Sequence, residues 1–213
     1  ITYKELREWT GSDAKSRRFQ TAGGPIDLTV AEIMSLYELN KRNQARGHIY
    51  DRSGGIKHAP RISKTRYADG KLVPAKIDKN FSPVRVSEID VEAIINTLTP
   101  EQKALADGLQ RFMGNECAEW GNEVTMEMYG YRKFTAGNYF PIVTDNNYIE
   151  TRQGKLKDRK STIKNMGSTK NTVQGANNPI IIEDIFDVYS RQADHMSTYN
   201  AYVIPLSDLN KVF

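Results

Sequence analysis

Three carboxylates fall at helical spacing near the middle of the chain, and their pattern comes nearest to a site that could do chemistry. At about 100° per residue, Glu116, Glu123 and Glu127 lie within roughly 40° of one another on a predicted helix. They fall inside or beside the apolar stripe that includes Trp120. Carboxylates at the edge of a core pair with a base, stay partly hydrated or bind a cation. Pairing with Arg132, with Lys133 or with another helix is the favoured interpretation. A metal-dependent enzyme that uses this glutamate cluster is the alternative, although no Asp or His stands at helical spacing to complete the ligands.

A run of basic residues later in the chain is a second candidate site. Residues 152–170 carry a local charge excess of +6, which is larger than the net charge of +4 for the whole sequence. Clustered Lys and Arg residues release counterions when they contact nucleic-acid phosphates. No aromatic residue is interleaved to stack on bases, so such contact would be non-specific. The alternative is a solvated surface loop. The candidate residues are Arg152, Lys155, Lys157, Arg159, Lys160, Lys164 and Lys170.

Common catalytic motifs are absent from the sequence. It contains no P-loop, no GxGxxG, no HExxH and no GxSxG. The histidines, His48, His58 and His195, lie in unrelated contexts. The single cysteine, Cys117, excludes a disulfide within this sequence, and we expect it to pack as a small hydrophobe inside the predicted helix. We therefore expect no cofactor, and the motifs favour a chain that is not an enzyme.

Two long helices are predicted to position these residues, at about 99–129 and 181–203. The first begins with a capping box, in which Thr99 is the N-cap, Pro100 opens the helix and Gln102 reaches back. Each helix has one apolar face, so we expect the two helices to pack together. The apolar stripe of the first helix consists of Leu105, Leu109, Phe112, Met113, Trp120, Val124 and Met128.

Shorter elements surround the two long helices. Helices are predicted at about 29–46 and 90–98, and an Asp-Gly turn predicts a small β-hairpin near 64–75. Residues 11–25 read as a linker, and Pro205 is predicted to end the second long helix. The sequence therefore predicts a mainly α fold, an irregular helical domain with one small hairpin.

Composition sets the broader expectations. The 213 residues are 38% hydrophobic and 26% charged, with a mean hydropathy of −0.60, and no apolar run is long enough for a membrane span. We expect one helical module over residues 1–213, excised from a larger protein, with a basic flexible loop at 152–178. The expected location is cytoplasmic or virion-associated.

Several sequence blocks together resemble a known family. LTVAEIMSLYELNKRNQA, LTPEQKALADGLQRF, WGNEVTMEMYGYRKF and GANNPIIIEDIFDVYSRQADHMSTYNAYVIPL are similar to a segment of very large multidomain proteins of phages and integrative elements, often called large polyvalent proteins. The similarity covers roughly residues 28–213. It implies a structural or interaction module of unassigned activity, whose partners are other domains of the same large protein. DNA or RNA backbone is the second expected partner, through the basic loop. No functional residue is carried over from the family.

Overall fold

The computed structural model describes residues 15–59, 62–68, 71–77, 82–144 and 178–212, together with Lys4. The helices are α1 (Val30–Asn40), α2 (Asn43–Tyr50), α3 (Glu88–Ile95), α4 (Pro100–Gly114), α5 (Glu116–Tyr129) and α6 (Ile185–Val212). The strands are β1 (Arg17–Thr21), β2 (Gly24–Leu28), β3 (Ile56–His58), β4 (Ile62–Ala68), β5 (Lys71–Ile77) and β6 (Ile180–Ile182). The prediction of a mainly helical fold is confirmed. No described helix is both long enough and apolar enough to cross a membrane.

Helix α1 lies at the centre of the core. Ala31, Ile33 and Leu36 are fully buried, and α1 packs against α2, α3, α4, α6 and β6. Its start is fixed by a capping box, in which the Glu32 amide donates to the Thr29 hydroxyl at 3.2 Å and the Thr29 amide donates to the Glu32 carboxylate at 2.7 Å. A helix surrounded on all sides has no exposed polar face. The fold is therefore built around α1 and not around the predicted 99–129 helix.

The predicted helix at 29–46 is two helices in the structure. Helix α1 ends at Asn40, and α2 begins at Asn43 with Arg42 in an extended conformation. The Arg42 guanidinium donates to the backbone carbonyl of Phe140, a fully buried residue, and lies 5.6 Å from the Tyr139 ring. The break is thus accompanied by a contact with a segment about a hundred residues away, which local periodicity cannot reveal.

The predicted 99–129 helix is present and bends at Asn115, where α4 meets α5. Its capping box is confirmed, since the Gln102 amide donates to the Thr99 hydroxyl at 3.3 Å and the Gln102 side chain accepts from the Thr99 amide at 2.9 Å. The buried face is displaced from the predicted apolar stripe, because α1 packs on one side and α6 on the other. Met113 and Val124 of that stripe are buried, whereas its other five residues are partly buried. The buried positions along the bent helix are Ala106, Gln110, Met113, Cys117, Gly121, Asn122, Val124 and Thr125.

Helix α6 differs from the predicted 181–203 helix at both ends. Residues 180–182 form β6, and α6 begins at Ile185 after Asp184, whose carboxylate accepts from the Phe186 amide at 2.8 Å. The predicted break at Pro205 is wrong, because the helix continues to Val212. Proline removes one helical hydrogen bond, and here Pro205 and Ala201 are both exposed, so water can reach the freed carbonyl.

The predicted packing of the two long helices is confirmed. The Asn200 side-chain amide of α6 donates to the Trp120 carbonyl of α5 at 2.8 Å. The Phe112 ring lies 5.2 Å from the Tyr189 ring. Phe112 lies on α4 and Trp120 on α5, so contacts advance in the same direction along the bent α4–α5 helix and along α6, which therefore run parallel. Gly121 permits this close approach, because a Cβ there would lie 2.5 Å from the Met196 methyl group.

A small buried sheet joins four segments that are far apart in sequence. β3 pairs in parallel with β6, with Ile56 opposite Ile180. Val84 forms an antiparallel bridge to Ile56, and Thr144 forms one to Ile180. Ile56, Ile180 and Ile182 are fully buried. The sequence did not predict this sheet, because its strands are three residues long and their pairing is entirely non-local.

Two antiparallel hairpins complete the described fold. The predicted hairpin near 64–75 is confirmed as β4 and β5, with Ala68 opposite Lys71. The predicted linker at 11–25 is wrong over most of its length, because β1 and β2 pair from Arg17 to Leu28. Gly24, the first residue of β2, directly follows the turn and has a φ of +124°, a conformation that favours glycine.

Candidate functional site

The basic residues predicted to contact a polyanion lie outside the described residues. All seven, from Arg152 to Lys170, fall within the undescribed range 145–177. The described chain enters this range at Thr144 and leaves it at Asn178, on the buried sheet of β3 and β6. The basic contact therefore stays a prediction.

The three predicted glutamates are exposed on the outer flank of α5. Glu116, Glu123 and Glu127 all lie outside the buried face, which turns Cys117 and Gly121 inward. The side-chain amide of Asn200 on α6 donates to the Glu123 carboxylate at 2.9 Å. In the described ranges, no three His, Cys, Asp or Glu side chains are grouped so that they could hold a metal ion.

Of the expected partners of the glutamate cluster, another helix is the one that the structure shows, because the Asn200 side chain of α6 donates to Glu123, whereas Arg132 binds elsewhere. The Arg132 guanidinium binds Glu119 through two hydrogen bonds, one of them at 3.2 Å. Glu119 lies on a different side of the helix from the predicted stripe, so the partner could not be chosen from periodicity alone. The prediction for Cys117 is confirmed, because its thiol is fully buried and burial, reinforced by the nearby Glu116 charge, raises its pKa to about 11.

A buried carboxyl group that the sequence did not single out lies at the C-terminal end of α1. The Glu38 side chain is 2% exposed, and the Lys41 ammonium donates to its Oε1 at 2.8 Å. Lys41 also forms an ion pair with Asp107 of α4 and lies 3.8 Å from the centre of the Tyr37 ring. Glu38, Lys41, Asp107 and Tyr37 form what we call the α1–α4 ionic cluster. It joins the central helix to α4.

The two carboxyl groups of this cluster have pKa values shifted in opposite directions. Burial raises the pKa of Glu38 to about 7, opposed by Lys41 and reinforced by a hydrogen bond with Asp107. The pKa of Asp107 is lowered, because hydrogen bonds from Lys41 and with Glu38 outweigh the opposing effect of burial. The pair can therefore take up or release a proton near neutral pH. Glu38 and Lys41 are three residues apart in sequence, but no sequence signal identifies Asp107 as their partner.

Exposed large apolar side chains are concentrated at one end of the α5–α6 pair. The residues are Met126, Tyr129, Tyr131, Tyr202, Leu206 and Leu209, with exposures from 42% to 60%. We call this surface the apolar end. Among the described residues, Ile89 on α3 is the one other large hydrophobic side chain that is exposed. The concentration is larger than the scattered exposure expected of an ordinary surface.

The exposed apolar residues at the end of α5 lie near those of α6. The rings of Tyr129 and Tyr131 lie 6.1 Å apart at the end of α5. Burial raises the pKa of Tyr199 on α6, and the proximity of Tyr129 raises it further. Tyr199 lies one turn before Tyr202, and Tyr202 and Leu206 follow at helical spacing on the same side of α6. Tyr129 at the end of α5 therefore lies near Tyr199 of α6, and Tyr202 and Leu206 continue along α6 from there.

Comparison with known proteins identifies no relative. No family model, no curated protein and no solved structure matches the chain. The resemblance to large polyvalent proteins therefore stays an expectation, and interpretation of function depends on the geometry described above.

Proposed function

We propose that this chain is a non-enzymatic interaction module that docks on a neighbouring domain through its apolar end. The observation that supports this proposal is the concentration of six exposed apolar side chains at the end of the α5–α6 pair. Interface centres are enriched in Tyr, Met and other large apolar residues, with a charged border around them. The apolar end consists of three tyrosines, two leucines and one methionine.

Burying a fully exposed Leu or Met side chain contributes about 1.5–3 kcal/mol, and the half-exposed side chains of the apolar end contribute less. These contributions must offset the translational and rotational freedom lost on association. Because α6 continues to Val212 while α5 ends at Tyr129, the stripe containing Leu206 and Leu209 is open to a partner helix. A helix laid along such a stripe is a common recognition geometry.

The proposed partner is another domain of the same large protein, of the phage or mobile-element class that the sequence resembles. This identity is what the resemblance implies. It is tested with the segments encoded directly before and after this chain in its gene.

The double variant Leu206→Glu/Leu209→Glu is expected to weaken binding to a flanking segment by about tenfold or more. The reason is that a charge placed at an apolar interface centre must be desolvated without a partner. Isothermal titration calorimetry with the purified flanking segments measures the affinity. The melting temperature should change little, because both positions are exposed.

Ile89→Glu is the matched control for this experiment. Ile89 is 78% exposed but lies on α3, away from the apolar end, so its substitution should leave the affinity unchanged. Equal loss of affinity in both variants would show a non-specific effect of charge. If neither flanking segment binds the wild-type chain, the proposal is overturned.

A second candidate function is non-specific nucleic-acid binding through residues 152–170. The charge excess of +6 in that stretch favours it. Such binding consists of contacts to phosphates, so we expect weak affinity at physiological salt and a steep decrease as salt rises.

Replacing four cations of this stretch by serine should flatten that salt dependence. We call the combined replacement Lys155→Ser, Lys157→Ser, Arg159→Ser and Lys160→Ser the arm variant. Each lost phosphate contact should lower the slope of log affinity against log salt by about 0.9, with nearly unchanged melting temperature. Gel-shift titrations at several salt concentrations measure the slope. If the wild-type chain causes no shift even at low salt, this second candidate is wrong.

A further inference from the structure

The outward surface of α5 is acidic along its length. Residues 116–129 contain four glutamates and no Lys or Arg, and all four glutamates are exposed. They follow one another at three- and four-residue steps, so they lie along one side of the helix. We call these residues the acidic stripe, and they are Glu116, Glu119, Glu123 and Glu127.

The acidic stripe continues into the apolar end. Met126 lies three residues after Glu123, Tyr129 lies three residues after Met126, and both apolar side chains are about half exposed. Residues three or four positions apart are neighbours on a helix surface, so carboxylates and apolar side chains share one exposed ridge of α5. Helix α6 adjoins this ridge, because the Asn200 side-chain amide donates to the Glu123 carboxylate at 2.9 Å.

Most of the charge of the acidic stripe is not neutralised within the described chain. Glu119 is paired with Arg132, but the other three glutamates form no ion pair with a residue that the structure describes. Helices α5 and α6 together carry seven acidic and two basic residues, a net charge of −5, whereas the whole chain has a net charge of +4. The negative charge concentrated on this pair of helices is complementary to a basic partner.

We propose that the apolar end and the acidic stripe together bind a basic amphipathic helix. The proposal rests on the proposed function, in which that helix belongs to a neighbouring domain. The backbone groups of α5 and α6 are bonded within each helix, so the surface offers side chains and no free sheet edge to an extended strand. The apolar face of the bound helix covers the exposed Tyr and Leu side chains, and Lys or Arg residues beside that face pair with the acidic stripe.

Two synthetic peptides test the chemistry of this partner. Each is about 18 residues long, which is enough to form a helix, and both have the same leucines at three- and four-residue spacing. One peptide carries lysines beside the leucines, and the other carries glutamates at the same positions. We expect the wild-type chain to bind the lysine peptide about tenfold or more tighter than the glutamate peptide, despite its own net charge of +4. Fluorescence anisotropy with labelled peptides measures both affinities, and their difference should shrink as salt rises.

Matched variants assign the effect to the acidic stripe. The stripe variant is Glu116→Gln/Glu127→Gln, because the carboxylates of the other two glutamates accept hydrogen bonds from neighbouring side chains. It should bind the lysine peptide about three- to tenfold more weakly, as expected for the loss of two exposed ion pairs. The control variant Glu92→Gln/Glu101→Gln removes equal charge from exposed positions on α3 and α4, and it should bind this peptide as the wild type does.

The flanking segments separate an error in the partner chemistry from a failure of the proposed function. If a flanking segment binds the stripe variant as tightly as the wild type, the basic chemistry is wrong and the proposed function stands. If neither flanking segment binds, but the lysine peptide binds and loses affinity in both the stripe variant and Leu206→Glu/Leu209→Glu, the proposed function is wrong and the basic helix stands. Equal binding of the two peptides, or equal losses in the stripe and control variants, would overturn the basic helix. A wild-type dimer in sedimentation experiments that the stripe variant does not form would also overturn it, because the occupant would then be a second copy of this chain.

Discussion

Replacing Gly55 by alanine is expected to lower the free energy of unfolding by about 3 kcal/mol or more, from backbone strain combined with steric overlap. Gly55 has a φ of +129°, which L-residues rarely adopt, and a Cβ at this position would lie 2.6 Å from the Val84 carbonyl oxygen. The Gly55 amide also donates to the His48 carbonyl at 3.0 Å, and its carbonyl accepts from the Ile180 amide at 2.9 Å. Any backbone shift that relieves the overlap would strain these bonds. Chemical denaturation followed by circular dichroism measures the loss.

Gly47→Ala is the control for this substitution. Gly47 is exposed within α2, and no atom lies within 4 Å of the position its Cβ would take. Alanine has the higher helix propensity, so this variant should be more stable than wild type by about 0.5–1 kcal/mol. If Gly55→Ala is as stable as wild type, the close approach of Gly55 to Val84 is incorrect.

The second large effect concerns Glu38 and the pH dependence of stability. In the folded chain burial raises its pKa from 4.5 to about 7, so the folded state binds more protons than the unfolded state between these values. The stabilisation is fully present below pH 4.5 and is lost as pH rises through about 7. A shift of this size corresponds to roughly 3 kcal/mol for a side chain that is 2% exposed.

Glu38→Gln should remove this pH dependence, because glutamine does not ionise. We expect the variant and the wild type to have similar stability near pH 5, and the variant to be more stable by roughly 2–3 kcal/mol near pH 8. Denaturation curves collected at half-unit pH intervals give both profiles, and their difference isolates Glu38 from other groups that titrate in this range.

The other carboxyl group of the cluster supplies the control. The pKa of Asp107 is lowered, so its stabilisation is present above 3.8 and is lost as pH falls below that value. Asp107→Asn should therefore change the profile at acidic pH and, by removing a partner of Lys41, lower stability above it. Parallel profiles for wild type and Glu38→Gln between pH 5 and 8 would show that Glu38 does not titrate there.

Elements with strong local signals were predicted from the sequence. The capping box at Thr99 and Gln102 places the start of α4, and an Asp-Gly pair between two β-type runs specifies the register of β4 and β5. The continuation of α6 through Pro205 was not predicted. It depends on which face of the helix is covered, and that information is not contained in the neighbouring residues.

Some features of the candidate sites were likewise visible in the sequence, and others appeared only in the structure. The charge of residues 152–170 and the helical spacing of the glutamates are visible in the sequence, but the structure leaves the glutamates exposed and not at the edge of the core. The α1–α4 ionic cluster was missed because Glu38 and Asp107 are 69 positions apart, and because a Glu between Tyr37 and Leu39 resembles an ordinary surface residue.

The sequence by itself determined the helical class of this protein, the capped helix starts and the hairpin near 64–75. These features depend on hydrogen bonds and side-chain spacing within a few residues. The tertiary structure decided that α1 is the central helix, that four short segments form a buried sheet around Ile56, that Glu38 is buried, and that Leu206 and Leu209 stay exposed. These features depend on contacts between residues far apart in the chain, and burial is a property of those contacts and not of any one segment.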